Sequence, residues 1–284
     1  MITKIKGSQV SKLMKRRKLD SHKGQNGTVM IIGGSLDFYG APVLAGLGAL
    51  YSGADLVYLF VPECNFECTR SLYPDFFVRK YSGETFNLEA AKEAVELAKK
   101  KCDSVVIGPG LSKATGVIEA VKYVVENLNI PTVLDADAIN VLKDIERFPL
   151  SQTIVATPHQ NEFRELVDRD VTVKAEDTQS VVLLRSISMD LHINVLLKGA
   201  TDFITSDEGY MEINTNGNPG MTVGGTGDVL AGMVGTFLAQ GMSGYDSARL
   251  AAFFNGEAGD KLQKIKNYNF SASDLAMKLA EVVR

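Results

Sequence analysis

The sequence predicts an α/β fold: a doubly wound, mainly parallel sheet with helices on both faces and an antiparallel hairpin at its edge. Up to Gly199, short β-rich runs recur, and segments with the apolar spacing of amphipathic helices lie between them. Several runs are apolar on both faces, as expected for central strands that helices cover on each side. After Gly199, the segment DFITSDEGYMEIN alternates around an Asp-Glu-Gly turn, which is typical of a hairpin.

The elements follow from these patterns in chain order. The apolar β-rich runs predict strands that begin at Val29, Asp55, Ser104, Thr132, Thr153 and Asn194. Apolar residues three and four apart predict helices over 87–101 and 113–127, and apolar segments dotted with glycine predict buried helices over 40–51 and 229–239. Since no linker, repeat or low-complexity tract interrupts the chain, we expect residues 1–284 to form one domain.

Composition excludes several classes of protein. With 45% apolar and 23% charged residues among 284, the chain is neither disordered nor collagen-like. A net charge of −4 argues against nucleic acid as a partner, and no apolar stretch approaches the roughly 18 to 20 residues that cross a membrane. Three cysteines without zinc-like spacing indicate free thiols in a reducing compartment, so we expect a cytoplasmic protein. The basic run over 12–18 is expected to be a solvated arm.

Glycine or polar residues directly follow five of the predicted strands. In doubly wound sheets, ligands bind outside the carboxyl ends of the strands. The sequence therefore predicts one shared cleft, formed by Gly33-Gly34-Ser35, Gly108-Pro109-Gly110, Asp135-Ala136-Asp137, Thr157-Pro158-His159 and Lys198-Gly199.

The strongest local signal is the glycine-rich loop Gly224–Gly227, which opens into an apolar helix. Converging backbone amides and the positive end of the helix dipole favour a phosphate there. Asp228 follows directly, and a carboxylate beside a phosphate suits a base that accepts the proton of a hydroxyl attacking phosphorus. The alternative is that Asp228 is only a helix N-cap.

Two further segments have both a functional and a structural interpretation. Lys198–Asp202 offers an ammonium group and short polar side chains for the phosphate and sugar of a nucleotide, or it is a surface turn. His159 and Glu162 either contact a ligand or form a capping arrangement at the start of a helix. Neither GxxxxGK[ST] nor GxGxxG occurs as a strand-to-helix motif, so P-loop and Rossmann nucleotide binding lack support.

Taken together, the ordered motifs resemble those of the ADP/ATP-dependent NAD(P)HX dehydratases, a nicotinamide-nucleotide repair family with a ribokinase-like fold. Single motifs of this kind are weak, but the ordered set covers most of the chain. It comprises Ser21-His22-Lys23-Gly24, Gly33-Gly34-Ser35 with Gly40-Ala41-Pro42, Gly108-Pro109-Gly110-Leu111, Asp135-Ala136-Asp137-Ala138, Thr157-Pro158-His159 with Glu162, Lys198-Gly199, 217–221 and 224–232.

The resemblance implies dehydration of (S)-NAD(P)HX to NAD(P)H, by phosphorylation of the ring hydroxyl and elimination of phosphate. It implies Mg²⁺ and a nucleotide donor, with ADP (giving AMP) expected over ATP, and it implies Asp228 as the catalytic residue. The residues implied to contact hydrated NADH or NADPH are Ala41, Gly110, His159 and Asp228. Those implied to bind the adenine nucleotide are Lys198, Gly199, Ala200, Thr201, Asp202, Gly225, Thr226 and Gly227. Glu162 matches a position that helps to place Mg²⁺ in the wider ribokinase group, and the metal ligands stay open.

The resemblance also implies a homo-oligomer, with a tetramer as one form. Many family members carry an epimerase domain ahead of this one, and about 28 residues precede the first predicted core strand here. We therefore expect action on one epimer, with a separate epimerase or spontaneous interconversion for the other. Two alternatives stand beside this: a ribokinase-like kinase of a small alcohol or vitamin precursor, and a nucleotide-binding regulatory protein without turnover.

Overall fold

A ten-stranded sheet organises the part of the chain that the computed structural model describes, residues 2–15, 17–146 and 148–283. Its strand order is β1-β10-β9-β8-β7-β6-β5-β2-β3-β4. Strands β8, β9 and β10 pair antiparallel, and all other neighbours pair parallel. The strands are β1 (Thr3–Lys4), β2 (Thr28–Ile32), β3 (Leu56–Pro62), β4 (Phe77–Tyr81), β5 (Ser104–Ile107), β6 (Thr132–Leu134), β7 (Ile154–Ala156), β8 (Asn194–Leu197), β9 (Asp202–Thr205) and β10 (Met211–Asn214).

Helices cover both faces of this sheet. The α-helices are α1 (Gly7–Leu13), α2 (Gly40–Tyr51), α3 (Glu63–Leu72), α4 (Leu88–Lys101), α5 (Val117–Asn127), α6 (Gln160–Val167), α7 (Thr178–Asp190), α8 (Thr226–Ala239), α9 (Gly244–Lys266) and α10 (Ala272–Val282). Two 3₁₀ helices span Ala136–Lys143 and Pro219–Thr222. Because side chains alternate along a strand, Val29 and Ile31 of β2 enter the core under α2, α8, α9 and α10. Met30 and Ile32 enter the core under α4, α5, α6 and α7.

The sequence predictions for the sheet are confirmed. Each of the six predicted strands is present within one or two residues of its expected start, and the hairpin is β9–β10, with the two-residue β1 outside it. The two glycine-dotted apolar segments are helices α2 and α8. The helix predicted from residue 113 begins only at Val117, because Gly116 has a φ of +84° and forms its N-cap.

The basic side chains of the arm that the structure describes are exposed, as expected, but two of them also bond to the folded domain. Lys15 Nζ donates to the carbonyl oxygens of Gln240 (3.0 Å) and Gly241 (2.9 Å) at the end of α8. Arg17 forms an ion pair with Asp55 (3.1 Å) and donates to Gly53 O (2.6 Å). The position between them, residue 16, lies outside the described residues. Lys15 therefore provides hydrogen-bond donors for carbonyl oxygens at a helix end, and Arg17 balances the charge of a buried carboxylate.

Among residues 2–15, 17–146 and 148–283, every helix falls short of the length and apolarity that crossing a lipid bilayer requires.

Glycines bring the backbones of α2 and α8 into direct contact. A Cβ atom added to Gly48 of α2 would lie 2.1 Å from Val229 O, and one added to Gly232 of α8 would lie 1.9 Å from Ala45 O. Both distances are far below van der Waals contact, so any side chain there forces the helices apart. Thr236 Oγ1 adds a hydrogen bond from α8 to Ala49 O (3.0 Å). The N-terminus of α8 is therefore fixed relative to the sheet.

We predict that Gly48→Ala lowers the free energy of unfolding by about 1–3 kcal/mol or more, since backbone rather than a flexible side chain would have to move. The matched control is Gly40→Ala at the start of the same helix, where nothing lies within 4 Å of an added Cβ. Urea denaturation of both variants compares them. Equal stability of the two variants would contradict a rigid contact between α2 and α8.

Candidate active site

A buried ion pair joins three neighbouring strand ends. Lys198 follows β8, and its Nζ lies 2.9 Å from Oδ1 of Asp135, which follows β6. Thr157, after β7, donates to the same carboxylate oxygen (2.6 Å). The side chain of Asp135 is 3% exposed and that of Lys198 is 18% exposed. Burial alone would lower the pKa of Lys198, but Asp135 and Glu162 raise it, so the amine stays charged.

The glycine-rich loop forms the N-terminus of α8, as predicted. Gly225 is the N-cap with a φ of +97°, and the first backbone bond of the helix runs from Val229 N to Gly225 O (3.1 Å). The amides of Thr226, Gly227 and Asp228 thus belong to the first turn, whose N–H groups have no acceptor within the helix. A Cβ on Gly227 would lie 3.2 Å from Lys198 Nζ, so the ammonium group lies against this turn. Amides and ammonium together form an anion site.

Asp228 is the third residue of α8 and not its N-cap, which settles the alternative left open above. Its half-buried carboxyl has its pKa raised to about 7, chiefly by burial and then by the charge of Asp135, while Lys198 lowers it and Glu162 raises it. A carboxyl that ionises near neutral pH is suited to accepting a proton.

His159 and Glu162 do form a capping box at the start of α6. The ring Nδ1 of His159 accepts from the amides of Asn161 and Glu162 (both 3.1 Å), and Glu162 Oε2 accepts from His159 N (2.7 Å). A bare Nδ1 places the proton of the neutral ring on Nε2, which lies 3.4 Å from Glu162 Oε1. The His159 ring is half exposed and lines the cavity described below, so the capping role still leaves part of the ring accessible to a ligand.

A cavity of about 680 Å³ extends from this cluster between α8 and α9, within the roughly 300–1,000 Å³ typical of small-molecule sites. One wall consists of the β8–β9 connection and another of the segment 216–222. The lining residues are His159, Lys198, Gly199, Ala200, Asp202, Asn216, Gly217, Asn218, Pro219, Met221, Thr222, Thr226, Gly227, Leu230, Ala252, Asn255 and Gly256.

Hydrogen bonds hold both walls. Asp202 accepts from Gly199 N (3.0 Å) and from Asn214 Nδ2 (3.0 Å), and Asn214 Nδ2 also donates to Ala252 O of α9 (3.1 Å). Burial raises the pKa of Asp202 to about 6, although the hydrogen bonds from Asn214 and Gly199 lower it. In the other wall, Asp260 of α9 accepts from Gly217 N and Asn218 Nδ2 (both 3.2 Å).

The predicted site residues fall into two groups. Seven of the predicted nucleotide or dinucleotide contacts line the cavity: His159, Lys198, Gly199, Ala200, Asp202, Thr226 and Gly227. Ala41 and Gly110 lie together elsewhere, after β2 and β5, because a Cβ on Gly110 (φ +70°) would meet Ala41 Cβ at 3.1 Å. Thr201, Gly225 and Asp228 are also outside the cavity lining. Asp228 is close enough to Lys198, Asp135 and Glu162 for their charges to shift its pKa.

Sequence reasoning missed the roles of Asp135, Asn214, Asp260 and Asn255. Asp135 was predicted only as part of the cleft, although an acidic residue directly after a buried strand is a usable signal. The other three give no local signal: Asn214 and Asp260 connect separate elements across 12 to 43 positions, and no partner of Asn255 Oδ1 lies among the described residues.

The site can accommodate Mg²⁺ with a nucleotide. No set of three or more His, Cys, Asp or Glu side chains in the described ranges is arranged to hold a metal ion by itself. Mg²⁺ usually takes one or two carboxylates together with phosphate oxygens, and Glu162 and Asp228 supply two carboxylates beside the anion site. Burial and the nearby Asp135 raise the pKa of Glu162, while Lys198 lowers it, so an added cation would favour its ionised form.

Comparison with known proteins matches residues 29–281 to the NAD(P)H-hydrate dehydratase family, Carb_kinase. The chain is 35% identical over 278 residues to the ADP-dependent (S)-NAD(P)H-hydrate dehydratase of Cenarchaeum symbiosum, covering 97% of this chain and 94% of that protein. It is 39% identical over 272 residues to the bifunctional NAD(P)H-hydrate repair enzyme Nnr of Methanothermobacter thermautotrophicus, covering 94% of this chain. The chain spans only about half (51%) of that bifunctional relative.

Solved structures agree on the fold. The ADP/ATP-dependent NAD(P)H-hydrate dehydratase of Bacillus subtilis, co-crystallised with ATP/Mg²⁺, has a TM-score of 0.84 and 25% identity over 99% of this chain and 97% of that chain. A hydroxyethylthiazole kinase of Pyrococcus horikoshii, at 18% identity, shares the fold with a TM-score of 0.64 over 92% of this chain and 91% of that one. The prediction of a ribokinase-like fold is confirmed. By its family match and by its identity to a dehydratase along nearly the whole length of both, this chain belongs to the NAD(P)H-hydrate dehydratase family.

Proposed function

We propose that this protein is a nucleotide-dependent (S)-NAD(P)H-hydrate dehydratase that uses ADP in preference to ATP. The observation that carries the proposal is the position of Asp228: a carboxyl with a pKa near 7 stands in the first turn of α8, beside Lys198 and the anion site. A relative of equal extent is named for the same reaction with ADP.

In the proposed reaction, Asp228 accepts the proton of the ring hydroxyl while that oxygen attacks the terminal phosphorus of the nucleotide. The bond from phosphorus to the bridging oxygen breaks, and AMP leaves when ADP is the donor. The ring phosphate then departs together with a ring proton, which restores the double bond of the reduced nicotinamide. Asp228 therefore acts in the first step, and its raised pKa matches the work of a base at neutral pH.

The α8 amides and Lys198 would stabilise the negative charge of the transferring phosphoryl group. First-turn amides are already oriented by the helix, so they need no rearrangement during the reaction. Lys198 donates to Asp135, whose carboxylate is in turn fixed by the Thr157 hydroxyl, and its ammonium lies against Gly227. His159, which lines the same cavity, would contact the dinucleotide through its exposed ring.

Mg²⁺ would be held by Glu162 together with phosphate oxygens of the nucleotide, where it would neutralise negative charge on the phosphates. The structural relative co-crystallised with ATP/Mg²⁺ supports this ion.

We further propose that residues 1–284 act as one dehydratase domain in a cytoplasmic homo-oligomer, linked in function to an epimerase that supplies the S epimer. The bifunctional repair relatives support the link to epimerisation, since this chain matches about half of their length. Free Cys64, Cys68 and Cys102 agree with a reducing compartment.

The direct test incubates the purified protein with Mg²⁺ and hydrated NADH, with ADP and ATP in parallel, and follows the near-ultraviolet absorbance of the reduced nicotinamide. We expect recovery of absorbance with release of AMP from ADP, at a higher rate than with ATP. Omission of nucleotide is the control. If absorbance never recovers while a phosphorylated compound accumulates, the protein is a kinase and not a dehydratase.

We predict that Asp228→Asn lowers kcat by about 10²–10⁴ and leaves ADP binding unchanged, because the amide cannot accept the proton. Calorimetric titration with ADP and the turnover assay separate the two effects. Asp144→Asn, a change at an exposed carboxylate, is the control. Normal turnover in the Asp228 variant would show that another group is the base.

The raised pKa of Asp228 also predicts two pH dependences. For wild type, kcat/KM should rise with pH through about 7, as the free base ionises. The folded protein binds this proton more tightly than the unfolded chain, so the contribution of Asp228 to stability falls as pH rises from about 4 to about 7 and stays at that lower level above pH 7. Asp228→Asn should therefore have the higher Tm at pH 8 and lose that advantage at pH 4. Melting curves that show no such crossover would contradict the burial of this charge.

We predict that Lys198→Ala weakens ADP binding more than tenfold and also lowers Tm, because Asp135 would be left buried without its cation. Adding Asp135→Asn to the Lys198→Ala variant should restore its Tm without restoring its affinity for ADP. Calorimetry and thermal melts measure the two quantities, and Lys122→Ala, which removes a surface ion pair with Glu126, is the control. Unchanged ADP affinity would place the phosphates elsewhere.

A further inference from the structure

One buried amide oxygen that lines the cavity lacks a hydrogen-bond partner among the described residues. Asn255 of α9 is 6% exposed and lines the cavity, and no group among the described residues donates to its Oδ1. Buried polar atoms are nearly always hydrogen-bonded, and leaving one unpaired destabilises a fold. An unpaired acceptor in a ligand cavity is therefore a group whose partner arrives with the ligand.

The surroundings of Asn255 indicate which part of a ligand reaches it. The anion site of the same cavity is formed by Lys198, directly after β8, and the first turn of α8, whereas Asn255 belongs to α9. Apolar side chains line the same cavity, with Ala252 one turn earlier on α9 and with Leu230, Pro219 and Met221, and the lining near Gly256 also includes the polar Asn216. Such a lining suits the flat face of a nucleotide base and not a phosphate or a ribose.

The backbone next to Asn255 keeps this end of the cavity narrow. A Cβ on Gly256 would lie 2.6 Å from Asn216 Cβ and 2.7 Å from Asn216 O, so the segment 216–222 packs directly on α9. Asn214 fixes the start of that segment through its bond to Ala252 O (3.1 Å). The amide of Asn255 is thus presented between two fixed walls.

We propose that Asn255 recognises adenine, with Oδ1 accepting a hydrogen bond from the 6-amino group of the base. This inference rests on the proposed nucleotide-dependent function. An asparagine amide presents an acceptor beside a donor, which complements the 6-amino donor and the neighbouring ring nitrogen of adenine. Guanine and hypoxanthine carry a 6-oxo group, which in this amide orientation would face Oδ1 with a second acceptor and leave both unpaired. Asn255 would therefore select the base, and the anion site would bind any diphosphate.

The first experiment uses wild-type protein and four nucleotides in calorimetric titration: ADP, IDP, GDP and purine riboside 5′-diphosphate, which has only hydrogen at position 6. We expect ADP to bind about tenfold or more tightly than each of the others. Equal affinity for ADP and purine riboside diphosphate would overturn the proposal, because the 6-amino group would then contribute nothing through Oδ1 of Asn255.

The second experiment repeats the titrations with Asn255→Ala and Asn255→Ser. We expect ADP affinity to fall about tenfold while IDP affinity stays the same, so that the preference for adenine disappears. Gln263→Ala, on the same helix but bonded to Tyr268 OH outside the cavity, is the matched control for stability and preference. A preference that survives in folded Asn255 variants would assign adenine selection to another group.

Binding is measured without hydrated dinucleotide, so the two proposals fail separately. Asn255-dependent binding of ADP by a protein that never restores absorbance would refute the dehydratase function and leave the base recognition standing. Absence of binding to every nucleotide would refute both.

Discussion

The contact between the backbones of α2 and α8 is the constraint on which the site depends. At Gly48 and Gly232, a backbone carbonyl oxygen of the other helix lies where a side chain would otherwise be. Thr236 adds a hydrogen bond between the two helices. Helix α8 is buried along most of its length, so its direction cannot adjust. Its first turn, with Gly227 and Asp228, is therefore held over the carboxyl ends of the central strands. The anion site and the proton acceptor are two properties of one helix end.

Charge is distributed unequally in this cleft. Three carboxylates, those of Asp135, Glu162 and Asp228, act on a single lysine, and only Asp135 bonds to it directly. Asp135 keeps Lys198 charged and in place, whereas Asp228, which is not bonded to the lysine, has its pKa raised to about 7. Asp135 thus has a structural role, whereas the half-buried carboxyl of Asp228 has the properties of a base. A cation bound with nucleotide phosphates would further offset the excess of negative charge.

Local sequence signals were sufficient for six buried strands, the edge hairpin and the start of α8. Apolar runs predicted the strands because central strands of a parallel sheet are buried on both faces, and Gly224–Gly227 predicted the helix start because glycine permits its backbone conformation. Pairings across long sequence separations were not predictable. Lys198 meets Asp135 over 63 positions, Lys15 reaches Gln240 over 225, and the unpaired Asn255 amide is defined only by what surrounds it. The short edge strand β1 and strand β4, which is partly exposed, lack the apolar pattern that marks the others.

The segment 216–222 is fastened at both ends and in its middle, through Asn214, Asp260 and the bond of Thr226 Oγ1 to Met221 O (2.8 Å). Its conformational entropy is consequently lost when the chain folds and not each time a nucleotide enters. A preorganised wall of this kind lowers the entropic cost of association and favours rapid exchange of donor for spent nucleotide, since no lid has to open. Discrimination between nucleotide donors then depends on the side chains that line this fixed cavity and not on a closing motion.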